Sequence, residues 1–154
     1  LKRKLTALAT AWILACSLPV FAAEISYFYD GDTVKIKDGI KVYKLRISDI
    51  DAPERTQTYG LKSRRALVKF CKNASVQMQL SGVDKYYRNL GKLQCNNQDA
   101  SLYMVKNGHA WFYRRYSSDS TLELAEQEAR KNKRGLWQSQ HPTPPWVWRK
   151  NHPH

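Results

Sequence analysis

Two short acidic pieces stand out in a chain otherwise dominated by basic residues: Asp30-Gly31-Asp32-Thr33 and Asp49-Ile50-Asp51-Ala52-Pro53-Glu54. Five of the thirteen Asp and Glu fall there, while the whole chain carries 26 Lys and Arg. Carboxylates gathered at two bends of a basic protein suit a hard divalent cation, because Ca²⁺ and Mg²⁺ take oxygen ligands. Each piece alone is also a common turn: Asp-Gly-Asp bends a chain, and Asp ahead of Ala-Pro-Glu can cap a helix. A third cluster, Asp84-Lys85-Tyr86-Tyr87-Arg88, supplies an arginine, and Arg46 is another. Read singly, either arginine is an ordinary solvated charge. Together, two guanidiniums can grip a phosphodiester, since they bind phosphate oxygens in pairs and do not lose their proton. A cation, two arginines and one carboxylate beside a water would meet the needs of phosphodiester hydrolysis. The cations neutralise the charge of the transition state, and the carboxylate orients or deprotonates the water.

The composition narrows the partner. The chain has 154 residues, 42% hydrophobic and 25% charged, which suits one domain with an ordinary core and excludes wholesale disorder. Outside the N-terminus no apolar run approaches the roughly 18 residues of a membrane span. A formal net charge of +13 favours a polyanionic partner, nucleic acid or less often an anionic membrane surface. Residues 1–22 read as a signal peptide. Lys2, Arg3 and Lys4 are its positive start, 5–15 its apolar stretch, and Pro19 and Ala22 precede cleavage after Ala22. The protein is then exported, periplasmic or secreted. Ile13-Leu14-Ala15-Cys16 offers an alternative, a lipid anchor through Cys16, which alone would bring in a membrane. Export leaves Cys71 and Cys95, and an even pair in an oxidising compartment reads as one disulfide.

The elements that must position these groups are legible in outline. Ile25 to Tyr29 reads as a strand entering the Asp-Gly-Asp turn. Val34 and Ile36 alternate with Lys35 and Lys37, and Asp38-Gly39 signals a hairpin back through 40–47. On that returning strand Arg46 has opposite parity to Leu45 and Ile47, so it faces away from the core they enter. A helix is expected over 59–72, with Ala66, Leu67, Phe70 and Cys71 on one face. Val76, Met78 and Leu80 form a strand closed by Ser81-Gly82, and Leu93 and Cys95 belong to another. Asp99 caps a short helix ended by Asn107-Gly108. Ser120-Thr-Leu-Glu123 has the form of a capping box opening a helix that ends by Gly135. The body is residues 23–140. Residues 141–154 form a Pro- and Trp-rich basic tail, expected as an extended strap packing its tryptophans on the domain. His141, His152 and His154 there lack the spacing of a metal site and read as solvated.

In this order, Asp-Gly-Asp-Thr (30–33), Leu-Arg-Ile (45–47), Asp-Ala-Pro-Glu (51–54) and Asp-Lys-Tyr-Tyr-Arg (84–88) resemble the staphylococcal nuclease family. Asn-Gly-His-Ala-Trp (107–111) and Glu-Ala-Arg-Lys-Asn-Lys-Arg-Gly-Leu-Trp (128–137) extend the likeness over nearly the whole body. The resemblance implies an α+β fold: a five-stranded OB-fold Greek-key β-barrel with about three α-helices. It also implies a Ca²⁺-dependent endonuclease acting on DNA and RNA, single-stranded or locally open, and leaving 3′-phosphate and 5′-hydroxyl ends. Carried over residue by residue, Asp32 and Asp51 become Ca²⁺ ligands, Ala52 adds its backbone carbonyl, and Asp30 acts through a water. Glu54 is the general base or water-orienting group, and Arg46 and Arg88 are the phosphate-binding arginines. Lys85 and Tyr86 meet a neighbouring phosphate, and Tyr113 or Tyr116 stacks on a base. A monomer is expected, with no stable protein partner implied. One residue departs from the family pattern: Tyr87 stands where a glycine is usual, so a positive φ there would be strained. The rival reading is a catalytically silent OB-fold nucleic-acid-binding module. Such a module would be expected to lose the carboxylates or arginines, and all are present.

Overall fold

The alternation of Val34 and Ile36 with exposed lysines builds a strand that buries one face and wets the other. A computed structural model describes residues 23–153. The expected signal peptide and Cys16 lie outside the described residues. In chain order the elements are β1 (Glu24–Phe28), β2 (Thr33–Asp38), β3 (Lys41–Ile47), β4 (Ile50–Asp51), α1 (Gly60–Cys71), β5 (Val76–Val83) and β6 (Asn89–Cys95). There follow β7 (Gln98–Asp99), α2 (Ala100–Lys106), β8 (Trp111–Phe112), α3 (Ser120–Lys131), a 3₁₀ turn (Gly135–Gln138) and α4 (Pro145–Asn151).

The five long strands run in the order β1-β2-β3-β6-β5, and a bridge between Ala23 and Val76 brings β5 back against the start of β1. β3 and β6 are parallel, and the other neighbours in this order are antiparallel. The result is the α+β, OB-type barrel that the sequence implies. Closure removes the exposed strand edges that would otherwise template aggregation. Val34, Ile36, Leu45, Ile47 and Leu93 fill the interior at 0% exposure, and Leu67 of α1 and Met104 of α2 plug it from the helical side. A second cluster, Trp111, Ala129, Leu136 and Trp137, joins α3 to the end of the body.

Several details differ from the sequence reading. β5 does not close at Ser81-Gly82 but runs to Val83, through an irregularity between Leu80 and Gly82 that lets the strand bend. α3 is capped by Asp119, whose carboxylate accepts from the Thr121 and Leu122 amides, while Glu123 is drawn to Arg114 at 3.3 Å instead of back to the cap. Its last residue is Lys131, and Gly135 instead opens the 3₁₀ turn. The tail is not an extended strap. Pro145, at the first helical position where a missing N–H costs nothing, starts a fourth helix, α4.

Cys71 ends α1 and Cys95 ends β6, and the two are joined in a disulfide with their Cα atoms 5.2 Å apart. The bond ties the helix to the barrel across a sequence separation of 24 residues. Closing a loop of that length removes unfolded-state entropy equivalent to about 3 kcal/mol. Reduction should therefore lower the free energy of unfolding by about that amount, seen as a lower midpoint in urea melts with and without reductant. An unchanged midpoint would show that the bond contributes nothing to the fold.

Candidate active site

The site is assembled from three separate stretches of chain. The first is the turn between β1 and β2, fastened by the Tyr29 amide donating to the Thr33 carbonyl at 2.9 Å and the Asp32 amide to Asp30 Oδ1 at 2.9 Å. Gly31 is needed there for space: a Cβ would collide with Ser63 Oγ of α1 and press on Ala52. The second is β3, where Leu45 and Ile47 enter the core and Arg46 takes the opposite face. The third is β4 and the bend after it, held in place because Asp51 pairs with Trp111 of β8.

These stretches meet in a buried ion network. Arg46 Nε lies 3.2 Å from Asp32 Oδ1, and its Nη2 donates to Asp51 Oδ1 at 3.0 Å. Its Nη1 donates to the Ile47 and Ile50 carbonyls, so four of its five N–H groups are engaged within the protein. Asp32 Oδ2 accepts from the Ala52 amide at 2.6 Å. Asp51 is 0% exposed and Arg46 9%, so each charge depends on the others for the solvation that burial removes. Burial alone would pull the Arg46 pKa down, but the charges of Asp32, Asp51 and Asp30 raise it instead. Burial, then the neighbouring charge of Asp32, pushes Asp30 up to about 8, and burial also raises Asp51.

A second guanidinium enters from α4. Arg149 grips Asp51 with both Nη atoms, at 3.1 Å to Oδ1 and 2.7 Å to Oδ2, and donates to Glu54 Oε1 at 2.8 Å. Asp51 is thus shared between two arginines, and Glu54 is tied to it through one of them. Sequence reasoning missed Arg149. The available signal was Pro144-Pro145 followed by Trp146 and Arg149 three apart, a helix start with two long side chains on one face. Gln57 was missed as well: its Nε2 donates to the Thr143 carbonyl at 2.6 Å and its Oε1 accepts from the Glu54 amide at 3.1 Å, so it fixes both the bend and the root of α4.

The structure thus brings together Asp32, Asp51, Ala52, Arg46 and Glu54, with Asp30 in the same turn as Asp32. Arg88 stands apart on the hairpin between β5 and β6. It directly precedes β6, whose Leu90 pairs with Arg46 of β3. Its guanidinium is held by Asp84 at 2.7 Å, and Asp84 Oδ1 also accepts from the Tyr86 and Arg88 amides. Burial acts against it, but these hydrogen bonds hold the Asp84 carboxyl below its usual range. Tyr87 does adopt the positive φ that its position demands, 59°, and its side chain is exposed. Lys85 Nζ lies over the Tyr86 ring, 5.0 Å from its centroid. Tyr113 and Tyr116 meet edge to face at 4.9 Å, and Trp146 of α4 stacks on Tyr113 at 5.5 Å and 9°.

Asp32, Asp51 and the Ala52 carbonyl are all hard oxygen donors, the chemistry a Ca²⁺ or Mg²⁺ ion selects. Both Asp51 oxygens already accept from the Arg149 guanidinium. Among the described residues no group of three or more His, Cys, Asp or Glu side chains is arranged to hold a metal. The donor set fits a cation only if main-chain oxygen and water complete it.

A family model described as staphylococcal nuclease homologue matches residues 44–139. The chain belongs to the staphylococcal nuclease family. Within it, the chain is 36% identical over 138 residues to an "uncharacterized endonuclease" of Escherichia coli O157:H7, covering 86% of this chain and 90% of that one. It is 33% identical over 160 residues to a "micrococcal nuclease" of Shigella flexneri, covering 95% and 92%. A "staphylococcal-like nuclease" of Arabidopsis thaliana shares 36% over 111 residues, 72% of this chain but 34% of the larger plant protein. As a staphylococcal nuclease relative the protein is a phosphodiester hydrolase. The span matched by the family model includes Arg46, Asp51, Glu54 and Arg88 but ends before α4, so Arg149 lies beyond it.

The network yields a stability test. Arg46→Met would leave buried Asp32 without its guanidinium partner and Asp51 with Arg149 alone, a loss of about 3 kcal/mol. The deficit should shrink as pH is lowered towards 4, because Asp51, already raised by burial and now lacking one of its two guanidiniums, can take up a proton in the fold. Denaturant melts at several pH values read this directly, and a deficit independent of pH would mean that Arg46 acts only through packing.

Proposed function

We propose that the protein is a Ca²⁺-dependent endonuclease that hydrolyses phosphodiester bonds of DNA and RNA, leaving 3′-phosphate and 5′-hydroxyl ends. The observation that carries the reading is the convergence of Asp32 with Asp51 and Glu54, from two bends of a basic chain, around the guanidiniums of Arg46 and Arg149. Asp32, Asp51 and the Ala52 carbonyl would hold Ca²⁺, with Asp30 acting through water. The ion would supply positive charge beside the scissile phosphate. Arg46 would contribute charge to the same place from the barrel face, and Arg88 from the hairpin ahead of β6. Glu54, with a side chain 31% exposed, can reach a water that the buried aspartates cannot, and it orients that water or takes its proton. Lys85 and Tyr86, on the exposed hairpin, would meet an adjoining phosphate, and Tyr113 or Tyr116 would stack on a base. The excess of basic residues draws the polyanion in. We read the chain as an exported monomer, a reading supported by the pattern of residues 1–22 and consistent with the Cys71–Cys95 bond.

Glu54→Gln tests the role at the centre of this reading. Steady-state kinetics on single-stranded DNA at saturating Ca²⁺ should show kcat lower by about 10²–10⁴ with little change in KM. Comparable losses in both would assign Glu54 to substrate binding instead of water activation.

A further inference from the structure

α4 lies across the site just described, and it touches that site in two places that the proposed chemistry needs. Trp146 and Arg149 are one helical turn apart on one face. Trp146 lies parallel to the Tyr113 ring, where a base would stack, and also meets Trp111 edge-on at 5.4 Å. Arg149 holds both carboxylate oxygens of Asp51 and one of Glu54, where a cation and an activated water would be held. The root of the helix is fixed by the Gln57–Thr143 hydrogen bond and the buried Pro145, while the Arg149 side chain is 37% exposed.

We propose that α4 is an autoinhibitory latch, in which Arg149 stands in for the divalent cation and Trp146 for a nucleotide base, and which must lift for the enzyme to act. The inference rests on the nuclease reading of the site. Its logic is exclusion. Arg149 covers both Asp51 oxygens and carries the same sign of charge as a divalent cation, so the two compete for that carboxylate, and Tyr113 cannot stack on Trp146 and a base with the same ring face. Cation binding therefore breaks the bidentate Arg149–Asp51 grip, and substrate binding breaks the Trp146–Tyr113 stack. Each event loosens what the other must displace, so Ca²⁺ and nucleic acid bind cooperatively through the helix. A site that is competent only when the latch is open binds Ca²⁺ more weakly by the fraction open.

The test is Ca²⁺ binding without nucleic acid, measured by calorimetry on the wild type and on Arg149→Ala and Trp146→Ala, with Asp51→Asn as the control for site identity. Both latch variants should bind Ca²⁺ at least about tenfold more tightly than the wild type, and Asp51→Asn should bind it weakly or not at all. Trp146→Ala matters because it leaves every charge in place: tightening there reports release of the helix, whereas tightening only in Arg149→Ala reports removal of a positive charge and overturns the latch. Hydrogen exchange adds a second readout, and Ca²⁺ should speed exchange at 145–151 in the wild type. Slower exchange there would overturn the proposal and make α4 part of the closed, active site. If the wild type binds Ca²⁺ through Asp51 and neither variant binds it more tightly, the latch fails and the site reading stands. If no form binds Ca²⁺ at millimolar concentration, both fail. A loss of turnover in Arg149→Ala at saturating Ca²⁺ would instead make Arg149 a catalytic residue and overturn inhibition.

Discussion

A buried arginine held between two aspartates is the constraint on which the rest of the structure depends. Asp32 and Asp51 lie nineteen residues apart in sequence, on a turn and on a two-residue strand, and neither could be buried charged without a partner. Arg46 supplies that partner from the barrel wall. Two more of its donors go to the Ile47 and Ile50 carbonyls, so the same side chain fixes the backbone that presents Asp51. Such a network is costly to assemble and hard to dismantle piecemeal, because removing one member strands the others. The geometry of the carboxylates is therefore set by the fold before any ligand arrives, the preorganisation that electrostatic catalysis requires.

Much of this was legible from residue types and parity. Period-two alternation on β2 and β3 located the core and placed Arg46 on the opposite face, because a strand offers only two faces. The carboxylates stood out because acidic residues are scarce in so basic a chain. What stayed hidden was non-local or very short. β4 and β8 are two residues each, too brief to show a period, and they exist because Ile50 and Asp51 pair with Phe112 and Trp111 some sixty residues away. The cap of α3 was misread by one residue because Asp119 and Ser120 are both good caps. The carboxylate of Asp119 reaches two amides, and Arg114 takes away the glutamate that a capping box needs. Arg149 was hidden most completely, since its partners precede it by 95 and 98 residues and no local pattern links them.

The hairpin bearing Arg88 shows how a local conflict is absorbed. A tyrosine in the left-handed region costs roughly 1–2 kcal/mol, yet Tyr87 has φ 59° and projects into solvent, where nothing clashes with it. Asp84 fastens the turn through two backbone amides and the Arg88 guanidinium together. The strain is held by the turn, and Arg88 keeps a defined position with its guanidinium on Asp84.

The most direct measurement is digestion of single-stranded DNA by the purified protein, with Ca²⁺ and with a chelator, beside Asp51→Ala. Cleavage that requires Ca²⁺ and disappears in the variant is the expected result. DNA binding without cleavage at any Ca²⁺ concentration, or cleavage untouched by the loss of Asp51, would contradict the assignment of this carboxylate cluster as the catalytic centre.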